Sequence, residues 1–162
     1  MAQLPLTMLV DVSVSGGAVT NLSSGAISLV SGTVYSFEIG TINNTASSIR
    51  IWINSDTTDG NYRRTSVRSS NTLSTSSNTC YLWADTTGQE NSVFGTLGIE
   101  NSTPYIFTCE QNERATIGTN YGAFTGFYNI SETTFVELTI SGAAASSLQN
   151  GTYLRIWEAI QS

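Results

Sequence analysis

The sequence predicts an all-β fold, an antiparallel β-sandwich of jelly-roll-like form, and three observations carry that expectation. Apolar and polar residues alternate in short runs, from Met8, Val10, Val12 and Val14 near the start to Leu154 and Ile156 near the end. The runs recur at spacings of about ten residues, separated by Gly-, Ser- and Asn-rich turns, as in sandwiches and barrels. No stretch holds a helical period for more than a turn or two, and Gly142–Gln149 is the sole helix candidate.

The elements follow in order. Met8, Val10, Val12 and Val14 alternate before a Gly16-Gly17 turn, and Ile27 with Leu29 makes a short second run. Thr33 to Ile39 sets Tyr35, Phe37 and Ile39 on one face against Ser36 and Glu38 on the other. Ile49, Ile51 and Ile53 form the inner face of a strand that runs into the polar turn Asn54–Tyr62. There Asn54, Asp56, Asp59, Gly60 and Asn61 are turn formers, with Gly60 the candidate for a left-handed φ. The tract Ser69–Asn78 reads as a surface loop. Further strands are expected over Cys80–Ala84, Val93–Ile99, Tyr105–Cys109, Thr134–Ile140 (Val136, Leu138 and Ile140 inward) and Gly151–Ile160. A Gly- and aromatic-rich stretch, Ile117–Asn129, lies among them.

The length, 162 residues, fits one domain, and a chain of this size buries about 70% of its unfolded surface. Hydrophobic residues are 40% and charged residues 11% of the chain, which excludes the polar, highly charged composition of disordered segments. Lysine and histidine are both absent, so there is no Ser–His or Cys–His nucleophile pair, no histidine metal site and no phosphate-loop lysine. The net charge of -6 argues against nucleic acid as a partner. The start of the chain has no basic residue before Arg50, so a secretory leader is not expected, and no run is long enough for a membrane helix. We therefore expect synthesis in a cytoplasm, no membrane partner, and free thiols at Cys80 and Cys109.

Five segments in order carry a family resemblance: Asn54-Ser55-Asp56 with Asn61-Tyr62; Gly98-Ile99-Glu100-Asn101; Gly122–Tyr128; Val136–Ile140; and Gly151-Thr152-Tyr153-Leu154-Arg155-Ile156-Trp157. In that order, ending on the last strand, they resemble the β-sandwich domains of bacteriophage head-decoration and tail-fibre proteins. The likeness covers about Tyr35 to Ile160, and it departs where Trp157-Glu158 stands in place of the family's Tyr-Gly. It implies a virion structural protein on the particle surface, a capsid decoration or head-fibre subunit, homotrimeric, bound to other virion proteins of capsid or tail. The alternatives are a tail-fibre receptor-binding tip and a carbohydrate-binding module, both recognising host surface glycans. Residues 1–34 have no family counterpart and form the candidate virion-anchoring segment, with Met8, Val10, Val12 and Val14 as its apolar face; residues 35–162 form the sandwich.

The remaining constellations favour binding over catalysis. Asn54, Asp56 and Asp59 lack the Gly and Glu spacing of an EF-hand, so a turn capped by side-chain oxygens is expected, with no metal and no cofactor. Arg63, Arg64 and Arg68 are candidate interface arginines; solvated charge on an edge strand is the expected account. Tyr121, Phe124, Phe127 and Tyr128 are candidate glycan-binding or interface aromatics. The carboxylate pairs Asp56/Asp59 and Glu110/Glu113 are turn or near neighbours and do not flank a cleft as a glycosidase pair must, so no enzyme activity is expected.

Overall fold

The computed structural model describes residues 7–30, 32–44, 47–68, 73–76, 81–85, 90–100, 103–113, 122–128 and 136–158, and the side chains of 7–30, 32–44, 49–58, 60–62, 92–98 and 136–158. The fold is all-β, two antiparallel sheets packed as a sandwich. Twelve strands are described: β1 (Thr7–Ser13), β2 (Asn21–Ser23), β3 (Val34–Ile42), β4 (Ser47–Ile53), β5 (Tyr62–Arg68), β6 (Leu73–Ser76), β7 (Tyr81–Asp85), β8 (Glu90–Glu100), β9 (Thr103–Glu113), β10 (Gly122–Tyr128), β11 (Leu138–Gly142) and β12 (Tyr153–Glu158). The large sheet runs β1-β12-β3-β8-β9-β10-β5-β6, and the small sheet β2-β11-β4-β7.

Alternation builds the core as read. Tyr35, Phe37 and Ile39 of β3, Leu154 and Ile156 of β12, and Val93 and Leu97 of β8 are buried from the large sheet. Ile49, Ile51 and Ile53 of β4 meet them from the small sheet with Leu138 and Ile140 of β11. Each of the buried aliphatic and Phe side chains contributes about 1.5–3 kcal/mol relative to exposure, so the two inner faces supply most of the drive to close the sandwich.

Strand β1 departs from simple alternation. Its pairing with β12 shifts between Met8 and Val10, which face the consecutive residues Trp157 and Ile156. Leu9 is the extra residue of a β-bulge, and Met8 and Val10 therefore fall on opposite faces. Val10 and Val14 enter the core, Val12 packs partly against it, and Met8 and Leu9 are exposed.

Several expected elements differ. The second strand is Asn21–Ser23, paired with Thr139, Ile140 and Ser141 of β11. Ile27 and Leu29 lie in the connection to β3, where Ile27 N–H donates to the Val136 carbonyl and Leu29 is buried. Ser69–Asn78 contains β6, which pairs with β5 along Leu73–Ser76. The helix candidate Gly142–Gln149 is the end of β11 followed by a bend and turn that closes as a bridge, Leu148 opposite both Val19 and Asn43. Val136, expected inward, is exposed just before β11 begins.

Candidate functional site

The densest described polar cluster joins the end of β4 to the start of β11. Asn54 and Ser55 have φ of 53° and 59°, and Asp56 N–H donates to the Ile53 carbonyl at 3.0 Å. Two consecutive left-handed residues inside an i to i+3 hydrogen bond define a type I′ turn, for which Asn at the first position is favoured. Gly60, by contrast, sits in a 3₁₀ turn, Asp59–Asn61, where φ is negative. The left-handed backbone is thus at Asn54-Ser55 and not at Gly60. The Asx side chains cap the turn: Asn54 Oδ1 accepts from Val136 N–H at 2.8 Å and Asp56 Oδ1 from Thr58 N–H at 2.8 Å.

Tyr62 locks this turn to the sandwich. Its ring is buried, its hydroxyl accepts from Ile53 N–H at 3.0 Å, and the same hydroxyl donates to the Asp56 carbonyl at 2.6 Å. Beside it, Glu137 accepts hydrogen bonds from the hydroxyls of Ser23 and Ser55. The Ser23 bond, then the Ser55 bond, hold the Glu137 carboxyl below the usual glutamate range. A carboxylate stabilised in its ionised form is a weak general base and does not supply a proton at neutral pH. The cluster clasps three segments, β2, the turn and the chain entering β11.

A second network lies on the outer face of the large sheet. Asp11, Arg155 and Glu38 occupy one cross-strand row, with Arg155 3.2 Å from Asp11 and 3.5 Å from Glu38. Tyr153 covers the bare backbone of Gly40, where an added Cβ would lie 2.6 Å from the ring Cζ. The Arg155 guanidinium stacks 4.5 Å from the centroid of that ring. The Tyr153 hydroxyl donates to Glu38 at 2.6 Å, and burial together with this carboxylate pushes its pKa up to about 12. This row is a sheet-face brace: the ring shields a glycine that offers no side chain of its own.

Other sequence-predicted residues fall as follows. Arg63, Arg64 and Arg68 lie on β5, which is hydrogen-bonded to β10 on one side and β6 on the other, so the expected edge strand is an interior one. Phe124, Phe127 and Tyr128 stand in strand β10, at positions opposite Ser66, Arg63 and Tyr62 of β5. Tyr121 and Cys80 lie outside the described residues, as do the side chains of Asp59, Cys109, Glu110 and Glu113. Among the described residues no group of three His, Cys, Asp or Glu is arranged to hold a metal ion.

Sequence reasoning missed one surface. Six large hydrophobic side chains are exposed among the described residues, and Phe94 alone stands apart, opposite Glu38 on the outer face of the large sheet. The other five are Met8 49%, Leu9 40%, Val30 63%, Val34 39% and Val136 43% exposed. All five sit at one end of the sandwich. Thr7 pairs with Glu158 and Glu158 with Tyr35, next to Val34; Val30 N–H donates to the Tyr35 hydroxyl; and Ile27 ties the same connection to Val136. Among the described residues, the opposite end includes the turns at Gly16-Gly17 and at Ser146–Gly151. The adjacent apolar pair Met8-Leu9, which breaks strict alternation, was the one signal of this surface in the sequence.

No protein-family model matches this chain, and no curated protein sequence matches it.

Proposed function

We propose that the protein is a bacteriophage virion structural protein, a capsid decoration or head-fibre subunit that acts by binding on the particle surface as a homotrimer. The reading rests on the order of the five resembling segments. The observation that carries it to a surface is the gathering of Met8, Leu9, Val30, Val34 and Val136 at one end of the sandwich. Scattered single apolar residues need no explanation, whereas five of the six exposed large hydrophobics among the described residues falling at one end favours an interaction surface there. Val10 and Val14 are committed to the core, so among the described residues of the N-terminal segment the contacts with the particle fall to Met8, Leu9, Val30 and Val34.

The test is co-sedimentation of the purified protein with particles that lack it. Wild type is expected to bind saturably, and Leu9→Asp with Val34→Asp to lose binding while keeping a wild-type circular dichroism spectrum. Binding that both charges leave unchanged would refute the apolar end as the contact. Glycan-array binding without particle binding would replace decoration with receptor or carbohydrate recognition.

A further inference from the structure

At the end of the sandwich where β3 closes, three described side chains carry buried oxygens without a protein partner among the described residues, Thr41, Asn44 and Ser147, and the last two face each other. Ser147 is 0% exposed, and among the described residues neither its Oγ nor Asn44 Oδ1 has a hydrogen-bond partner. Native buried polar atoms are almost always satisfied, because an unpartnered one forfeits its hydration without compensation. Of these exceptions, Asn44 and Ser147 lie opposite each other and call for a shared partner.

The backbone sets them side by side. Asn43 bridges Leu148, and the next N–H along, that of Asn44, donates to the Ser147 carbonyl at 3.0 Å. Asn44 and Ser147 thus oppose each other across an antiparallel pair, where Cβ atoms stand about 4.5–5.5 Å apart on the same side. The Asn44 amide is turned toward this segment, because its Nδ2 donates to the Ser146 carbonyl at 2.8 Å. That bond fixes which amide atom is the oxygen and leaves Oδ1 as a bare acceptor. The Ser147 hydroxyl fills the space that a side chain at residue 142 would take: a Cβ on Gly142 would collide with Ser147 Oγ, and the Ala144 carbonyl lies 3.6 Å from the same point. The bend from Gly142 to Ser147 is pinned from outside, with Gly142 N–H on the Thr20 carbonyl and Ser146 N–H on Thr20 Oγ1, both at 2.9 Å.

We infer that Ser147 and Asn44 hold one ordered water molecule under the Gly142–Ser147 bend. Water matches the donor set. It donates to Asn44 Oδ1, exchanges a hydrogen bond with Ser147 Oγ, and keeps a further proton for the Ala144 carbonyl, the roughly three bonds typical of buried water. A metal cation is a poor match, because neutral amide, hydroxyl and carbonyl oxygens provide no charge to replace its hydration. The water adds an inner tie to a bend that Thr20 and Asn44 already hold from outside.

A high-resolution crystal structure of the wild-type protein decides the matter, with water–protein NMR cross-relaxation as the solution counterpart. The expected results are density bridging Ser147 Oγ and Asn44 Oδ1, and a long-lived water signal at the amides of residues 144–147 that disappears in Ser147→Ala. A map in which both oxygens bond directly to protein groups, or in which the space between them holds no water, overturns the inference. So does a water signal that survives Ser147→Ala unchanged. If Ser147→Ala does not fold, the wild-type map alone gives the answer.

Discussion

Replacing Tyr62 with Phe isolates one hydroxyl that stands between two backbone groups. The ring is 1% exposed and stays in place, so packing is conserved and only the oxygen is lost. That oxygen accepts from Ile53 N–H and donates to the Asp56 carbonyl. Ile53 is buried in the core, so its N–H has no access to solvent once the acceptor is gone. An orphaned buried donor costs about 1–3 kcal/mol; Asp56 lies in a half-buried turn and its carbonyl can recover water, which holds the total near the middle of that range. In a domain of this size each kcal/mol moves Tm by about 2–4 °C. The assay is urea unfolding followed by tryptophan fluorescence, with Tm measured in parallel. The midpoint should fall while the slope m stays constant, since the surface exposed on unfolding is unchanged. Tyr62→Ala, which also empties the ring's space, should cost about 3–5 kcal/mol. An unchanged midpoint for Tyr62→Phe would show that the hydroxyl does not hold the turn to β4.

Three further outcomes are expected. Gly40→Ala drives a Cβ into the Tyr153 ring; it should destabilise by about 1–3 kcal/mol, as overpacking does, and by less in a Tyr153→Ala background, which a double-mutant cycle of unfolding free energies measures. Asn54→Gly keeps the left-handed backbone (φ 53°) and loses the acceptor for Val136 N–H, whereas Asn54→Ala loses both, so thermal melts should rank wild type above Gly and Gly above Ala. Glu137 has a depressed pKa in the folded state, so its contribution is present above the unfolded glutamate value and is lost as pH falls through the folded one. Glu137→Gln should therefore flatten the acid limb of a stability–pH curve and leave its shape near neutrality unchanged. An acid limb identical to wild type would mean that Ser23 and Ser55 do not stabilise the carboxylate.

The inner faces of the central strands were legible in the sequence because alternation is a local property of the chain. Tyr35, Phe37 and Ile39, then Ile49, Ile51 and Ile53, then Leu154 and Ile156, announce which side each strand buries, and all eight are in the core. The absence of histidine and lysine likewise bounds the chemistry before any coordinate is known. What a strand pairs with is not local. Arg63, Arg64 and Arg68 read as edge-strand charge because the partner that covers their strand, Leu73–Ser76, lies in a Ser/Thr tract with the composition of a loop. Met8 reads as the first inward residue of β1, and only the register against Trp157 and Ile156 reveals the bulge that turns it out. Gly60 has the residue type for a left-handed turn, yet Asn54 and Ser55 take that conformation, held by Asn54 Oδ1 on a segment 82 residues away. The clasp at Glu137, the apolar end and the Ser147 site share this origin: each joins side chains from segments far apart in the chain, and sheet register alone determines which of them meet.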